Sequence, residues 1–493
     1  MSLMIDPDDY PCEWTIFVKK ENNEPEMQKY PGTLKLFPSI SPSGTIIGFK
    51  EFWEIDSISG QMSRSLPNAI RYPELRCRLI DRPYEVILFD VVVSDSFGGE
   101  AVVVDGGAAI VGVDLPAGDS PKFMGIEIQV TALDAIGGRR PLASSTAPAV
   151  AEEWRSGEWS AKGNGESGQR WADDEVEVRH EYDTTARVYD PYEFRVRFSP
   201  VLRVNRTTPK DLGYWIDTWV NPLRTIISAA TGREETITYV YFLGDLCESG
   251  TPDSRAQLFA KGISQTFYYS SDVDVRAAQI AFNVATDGLS LLDVVKRWNA
   301  EINAGNPLLQ TYNPLMMAAQ QHPRGKFLYT MQCLEGLDGF ERRLEFDKKL
   351  RGHRRERFEL IQNLKDAKDL IDSPITAGNL KFAKSAIGGR PSESLASCLG
   401  RMISKVPAPD IEITTELSKL HIISDIMLSE SAPDTILDAV RIIRNDLAHG
   451  NRDYPPRYID EVAQVFYRLV RAHLLRYLGC SESAQKSALS SDR

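Results

Sequence analysis

The stretch PPRYIDEVAQVFYRLVRAHLLRYLG, residues 455–479, decides how the last third of the chain is read. Its stripe of Ile459, Val462, Phe466, Leu469, His473 and Tyr477 recurs every three or four residues, the period of one helix face. A proline pair opens it and Gly479 closes it, with Arg471 and Arg476 in the final turns where the helix dipole is negative. Upstream, Ile436, Val440, Ile443 and Leu447 form a second stripe. It follows the start signal Ser431-Ala432-Pro433-Asp434 and stops at Gly450. Phe327, Met331, Leu334, Leu337 and Leu344 give a third, and Arg354 to Ile371, halted by Ser373-Pro374, a fourth. The spacing predicts an all-α helical bundle over residues 321–480, followed by a disordered tail at 481–493.

Before residue 206 the pattern is different. Short apolar or alternating runs recur between turn signals: Gly32–Phe37, Thr45–Phe49, Tyr84–Val93, Ala101–Val104, Phe123–Ala132 and Phe194–Phe198. Gly-Gly pairs at 98–99, 106–107 and 137–138 separate several of them. This predicts a β-rich sandwich or barrel over residues 1–206. Residues 207–320 read as a mixed α/β connecting module. Thr207-Thr208-Pro209 opens a helix through Trp215, Trp219, Leu223 and Ile227 to Gly232; a strand over 236–242 and a helix over 289–302 follow. The fold class is therefore α+β multidomain.

Charge divides the chain in the same place. Residues 1–320 carry 30 Lys+Arg and 45 Asp+Glu, whereas 321–480 carry 25 and 22. The whole chain is at −12, which argues against a surface that coats nucleic acid or anionic membrane. Any polyanion chemistry is expected in the C-terminal third. The six cysteines are scattered without a C-x-x-C, so neither a metal centre nor a disulfide framework is expected and no cofactor is implied. No secretory signal and no apolar run of about twenty residues is present, so a cytoplasmic location without a membrane partner is expected.

Phosphate-loop, nucleophile-elbow, metalloprotease and dinucleotide motifs are absent. The chemistry-bearing string is Arg444-Asn445-Asp446-Leu447-Ala448-His449, at the end of a predicted helix. Basic residues there also suit the helix dipole without any catalytic role. Asn445 and His449 are four apart and share a face, so the amide could orient the imidazole. Arg444 and His449 are five apart, roughly 140° around an ideal helix. They converge only if the helix breaks after Ala448 or if a second copy faces the first. An imidazole near its ordinary pKa of about 6.5 and a forked guanidinium suffice to cut RNA without a metal. The 2′-OH attacks the adjacent phosphate, leaving a 2′,3′-cyclic phosphate and a 5′-OH.

Three other features bear on this site. Glu335, one residue past Leu334, is either a rim ion-pair partner or a carboxylate that orients His449 or Arg444. The run Arg342–Arg357 holds eight basic and three acidic residues. It is either a solvated face or a phosphate track, with Lys348, Lys349, Arg351, Arg354 and Arg355 as the RNA-binding candidates. Trp154, Trp159 and Trp171 lie in a Ser/Gly-rich segment, either packed back on the sheet or forming a base- or sugar-stacking platform.

Arg444, Asn445 and His449 match, in order and spacing, the R-polar-x(3–5)-H signature of the HEPN superfamily of metal-independent ribonucleases. The text around them resembles the ApeA-type branch, bacterial anti-phage abortive-infection proteins. The matching residues are Phe327-Leu328, Gln332 and Leu334-Glu335, then Gly450, then Leu474–Gly479. Trp219–Leu223 and Ser228–Gly232 match further upstream; Gly32-Thr33-Leu34 and Ile58-Ser59-Gly60 match more loosely. The resemblance implies an RNase effector, held inactive until a phage-derived trigger is sensed by the N-terminal region. It also implies sites shared between copies in a homodimer or higher homo-oligomer built through the C-terminal bundle. Cellular RNA, tRNA among the candidates, is the implied substrate. In that reading His449 moves the proton, Arg444 clamps the phosphate, Asn445 orients and Glu335 supports. The competing expectation is a non-catalytic helical dimerisation or binding module in a sensor or scaffold. A weaker one is a carbohydrate- or peptide-binding β domain fused to a helical regulator.

Overall fold

The computed structural model describes residues 3–19, 25–49, 54–55, 62–63, 69–95, 101–113, 115, 121–148, 157–190, 192–244, 255–277, 280–314, 321–369, 374–388, 394–407, 410–429 and 432–490. Ile58–Gly60, Gly98, Gly99, Trp154, Ile371, Ser373 and Ser431, noted above, lie outside them, as does one of the six cysteines, Cys247. Two compact units emerge. One comprises residues 1–231 and 235–296, the other 232–234 and 297–493.

The first unit is built on one antiparallel sheet of thirteen strands among the described residues. They are β1 (Asp8–Lys19), β2 (Pro25–Leu36), β3 (Ser43–Ile47), β4 (Ala69–Leu79), β5 (Glu85–Asp95), β6 (Ala101–Asp105), β7 (Ala108–Gly112), β8 (Lys122–Val130), β9 (Gln169–Ala172), β10 (Val176–Asp190), β11 (Glu193–Asp211), β12 (Ile237–Leu243) and β13 (Arg255–Ala260). The order is β9-β10-β11-β8-β12-β13-β7-β5-β4-β1-β2-β3-β6. Because β6 also pairs with β5, six strands close into a barrel: β5, β4, β1, β2, β3 and β6. β5 serves two neighbours in turn. Glu85–Phe89 pair with β7 and Val92–Asp95 with β6, and the change falls at Asp90, whose φ of 51° breaks the extended run. Trp14, Leu34, Ile46, Leu75, Val86 and Val104 fill the barrel, all buried and alternating with outward residues as the pleat requires. Gly32 and Gly44 lie against Trp14, where a Cβ would fall 2.7 and 2.9 Å from the indole.

The second unit is helical. Its helices are α1 (Pro323–Glu341), α2 (Arg343–Lys368), α3 (Ala377–Ala386), α4 (Leu395–Ser404), α5 (Asp410–Ser418), α6 (His421–Met427), α7 (Ile436–His449), α8 (Pro456–Tyr477) and α9 (Glu482–Leu489). α8 packs along α1, and α4 packs on both α1 and α7. The predicted stripe of α8 is buried at Ile459, Val462, Phe466, Leu469 and His473. Two polar pairs lie within this packing. The Lys326 ammonium meets Asp460 at 3.0 Å, and the Tyr312 and Tyr467 hydroxyls meet at 3.0 Å.

The architecture is α+β multidomain, with a β-rich N-terminal barrel and a helical C-terminal part. Several expected boundaries move. β11 runs through Thr207–Pro209 to Asp211, so the helix there starts at Leu212, capped by Asp211. β12 pairs with β8, and β13 with β7. Residues 207–231 and 235–296 thus group with the sheet unit, because their strands supply its middle. α2 starts at Arg343, eleven residues before the expected start, since nothing in 343–353 breaks a helix. α7 starts at Ile436 with Thr435 as its cap, after the Pro433 signal. The tail is not disordered over 481–490: Ser481 caps α9, whose Ala484, Gln485 and Ala488 are buried.

Candidate active site

α7 is held at both ends. The Thr435 hydroxyl accepts from the Asp438 amide at 3.1 Å, satisfying a first-turn donor. Ala439, Val440, Ile443 and Leu447 are buried along one face. Gly450 closes the helix at φ 69°, a left-handed cap that costs a glycine little. Beyond it, the Asn451 amide donates to the Asp446 carbonyl at 3.0 Å, and the Tyr454 hydroxyl donates to the Asp446 carboxylate at 2.6 Å.

On this scaffold Arg444 is half-buried and turns to α1. Its Nη2 donates to both Glu335 oxygens, at 3.3 and 3.1 Å. Its Nη1 donates to Asn445 Oδ1 at 3.4 Å. Glu335 sits on the rim, beside buried Leu334, with about a third of its side chain exposed. The structure therefore brings together Arg444, Glu335 and Asn445. His449 stands apart: it is exposed and its imidazole has no hydrogen bond among the described residues. The expected bond from Asn445 to the imidazole is not made, because the amide oxygen takes the neighbouring guanidinium.

The helix does not break after Ala448; it continues through His449. Five residues of regular helix leave Arg444 and His449 roughly 140° apart, so one chain does not converge them. A residue that the spacing does not reveal reaches the same end of α7. Arg324, in the first turn of α1, donates through Nη2 to the Leu447 carbonyl in the last turn of α7. It places a fixed cation at the negative end of α7. No spacing rule connects residues 123 apart, so only the fold could reveal it.

The predicted RNA contacts lie on α2, which has no buried residue. Lys348, Lys349, Arg351, Arg354 and Arg355 are all exposed. Two of them face carboxylates on their own helix: Lys349 pairs with Glu345 at 3.1 Å and Arg355 lies 3.9 Å from Glu359. Trp159 is exposed and Trp171 half-buried in β9, so neither packs as a core residue.

No family model, curated protein or solved structure matches this chain. The site must therefore be read from its own chemistry. One face of α7 offers a guanidinium already held by a carboxylate, and its end offers a free imidazole. Among the described residues no helix is long and apolar enough to cross a membrane.

Proposed function

We propose that the protein is a metal-independent RNA endonuclease of bacterial anti-phage defence, acting in the cytoplasm on cellular RNA, tRNA among its candidates. The observation that carries this reading is the pairing of a free, exposed His449 with an Arg444 fixed by Glu335 on one unbroken helix. The two groups fit one phosphodiester only when supplied by two facing copies of α7. In that composite site, His449 of one copy takes the proton from the 2′-OH as the 2′-oxygen–phosphorus bond forms. Arg444 of the other binds the phosphate oxygens and stabilises the charge of the transition state. The bond to the 5′-oxygen breaks, and that oxygen leaves with a proton. Asn445 and Glu335 hold the guanidinium at its angle, a positioning task that differs from the expected orientation of His449. The β-barrel unit would sense the phage-derived trigger and restrain the site.

The test is purified protein incubated with total RNA in EDTA, with the ends of the products mapped. Cyclic-phosphate and 5′-OH ends that disappear in His449→Ala support the reading; undiminished cutting by that variant refutes it. A second reading has its own observation. The Arg444 guanidinium is already engaged by Glu335, as in a structural ion pair. On that reading the helices are a dimerisation module of a sensor, and no activating condition yields cleavage.

A further inference from the structure

α2 and α3 form a helical hairpin whose described residues include none that is buried. Residues 342–388 carry twelve Lys and Arg against seven Asp and Glu, in a chain whose net charge is −12. A hairpin that buries nothing contributes little to a core, and a local excess of five positive charges in an acidic protein needs a counter-charge.

Its inner side holds a groove of about 530 Å³, lined by Arg354, Arg357, Phe358, Ile361, Gln362, Lys365 and Lys384. Positions 354, 358, 361 and 365 follow one another at helical spacing, so they form a single stripe of α2, and Lys384 faces them from α3. Arg357 bridges the helices, donating to the Ile387 carbonyl at 2.8 Å and the Lys384 carbonyl at 3.1 Å. Arg354, Lys365 and Lys384 have no carboxylate partner among the described residues, unlike Lys349 and Arg355 on the outer side. Phe358 lies in the groove and is 70% exposed.

We propose that this groove binds a single RNA strand, with backbone phosphates on Arg354, Lys365 and Lys384 and one base stacked on the Phe358 ring. Unpaired cations along a groove with an exposed aromatic face are what a sequence-tolerant single-strand site requires. An acidic protein segment would satisfy the cations but leave the ring unexplained. The inference rests on the RNA-cutting reading for its ligand class; of the five candidates in the basic run it keeps Arg354 and replaces the others with Lys365 and Lys384.

The experiment measures binding of a fluorescein-labelled, fully 2′-O-methylated RNA 12-mer, which cannot be cut, by fluorescence anisotropy. The full chain is compared with Arg354→Glu/Lys365→Glu/Lys384→Glu and with Phe358→Ala, each checked by thermal melting. The triple variant is expected to weaken binding at least about tenfold, and to lower the slope of log affinity against log salt by about two. Phe358→Ala is expected to cost about tenfold with the slope unchanged. Binding equal to that of the parent chain in both variants overturns the groove, even if the parent cleaves total RNA. Groove-dependent binding by a chain that cuts nothing keeps the groove and removes the nuclease. Loss of self-association in the triple variant with RNA binding intact assigns the hairpin to a second copy of the chain and overturns the inference.

Discussion

Arg444 extends to Glu335 at 3.1 Å, while the imidazole of His449, five residues later on the same helix, is exposed and has no hydrogen bond or ion pair among the described residues. Each chain thus holds a complete guanidinium site and a separate imidazole. If two copies complete the centre, Arg444→Ala and His449→Ala are each inactive but rescue one another. In a mixed dimer one centre keeps both native groups, so random mixing restores about a quarter of parental RNA cleavage. Single-turnover assays on co-purified variants measure it; no recovery places both groups in one chain's site.

Glu335→Gln separates support from rim decoration. The pair is about one-third exposed on each side, so its loss should cost only about 0.2–1 kcal/mol in urea unfolding. Cleavage should nonetheless fall at least about tenfold, because the guanidinium loses its anchor. A variant with full activity makes Glu335 a surface ion-pair partner and nothing more.

Arg324→Ala tests the cation at the end of α7. Removing its bond to the Leu447 carbonyl should cost about 0.3–1 kcal/mol of stability. Cleavage should drop further than that loss explains if this cation helps bring phosphate to His449. Lysine at 324 keeps the charge and should recover part of the activity.

Stability should decline as pH falls from 6.5 to about 4. Burial lowers the pKa of His180, in the sheet unit, to about 4, and burial with nearby Arg476 does the same to His473 in α8. Within that window the unfolded chain takes up a proton at each imidazole and the folded chain does not, so acid favours unfolding. Each contributes a slope of up to about 1.4 kcal/mol per pH unit. Thermal melts should fall across this range, less steeply in His473→Gln; a flat profile from 6.5 to 5 contradicts the burial.

Gly479→Ala should destabilise the helical unit. Its φ is 76°, and a Cβ there would sit 1.2 Å from Arg297 Nη1, which donates to the Leu478 carbonyl at 3.2 Å. Left-handed strain and loss of that bond together suggest about 2 kcal/mol, read as a shift of the urea midpoint.

The helices most legible in the sequence are those whose burial is periodic, although α2 was partly legible while burying nothing. α8 and α7 announced themselves through Ile459–His473 and Ile436–Leu447 because a bundle core repeats at the helix period. α9 was missed because its buried residues are Ala484, Gln485 and Ala488, too small or too polar to signal a face. In the sheet, alternation located many strands but not their order. β8 lies between β11 and β12, and such pairings span more than seventy residues without leaving a local trace. In the candidate site Arg444, Glu335 and His449 were legible as residue types at spacing. The partner that Asn445 takes and the approach of Arg324 depend on how α1 crosses α7, which no linear pattern encodes.

Among the described residues, barrel closure leaves the thirteen-stranded sheet with one terminal strand, the four-residue β9. Each of the other twelve described strands of this sheet has both flanks hydrogen-bonded for at least part of its length. β9 pairs only with Glu177–His180 of the fifteen-residue β10, so past β9 the margin of the sheet passes to the rest of β10, where an extended polypeptide would add. Tyr189 in that stretch and Tyr192 just beyond it are almost fully in solvent, side chains that such a partner would meet.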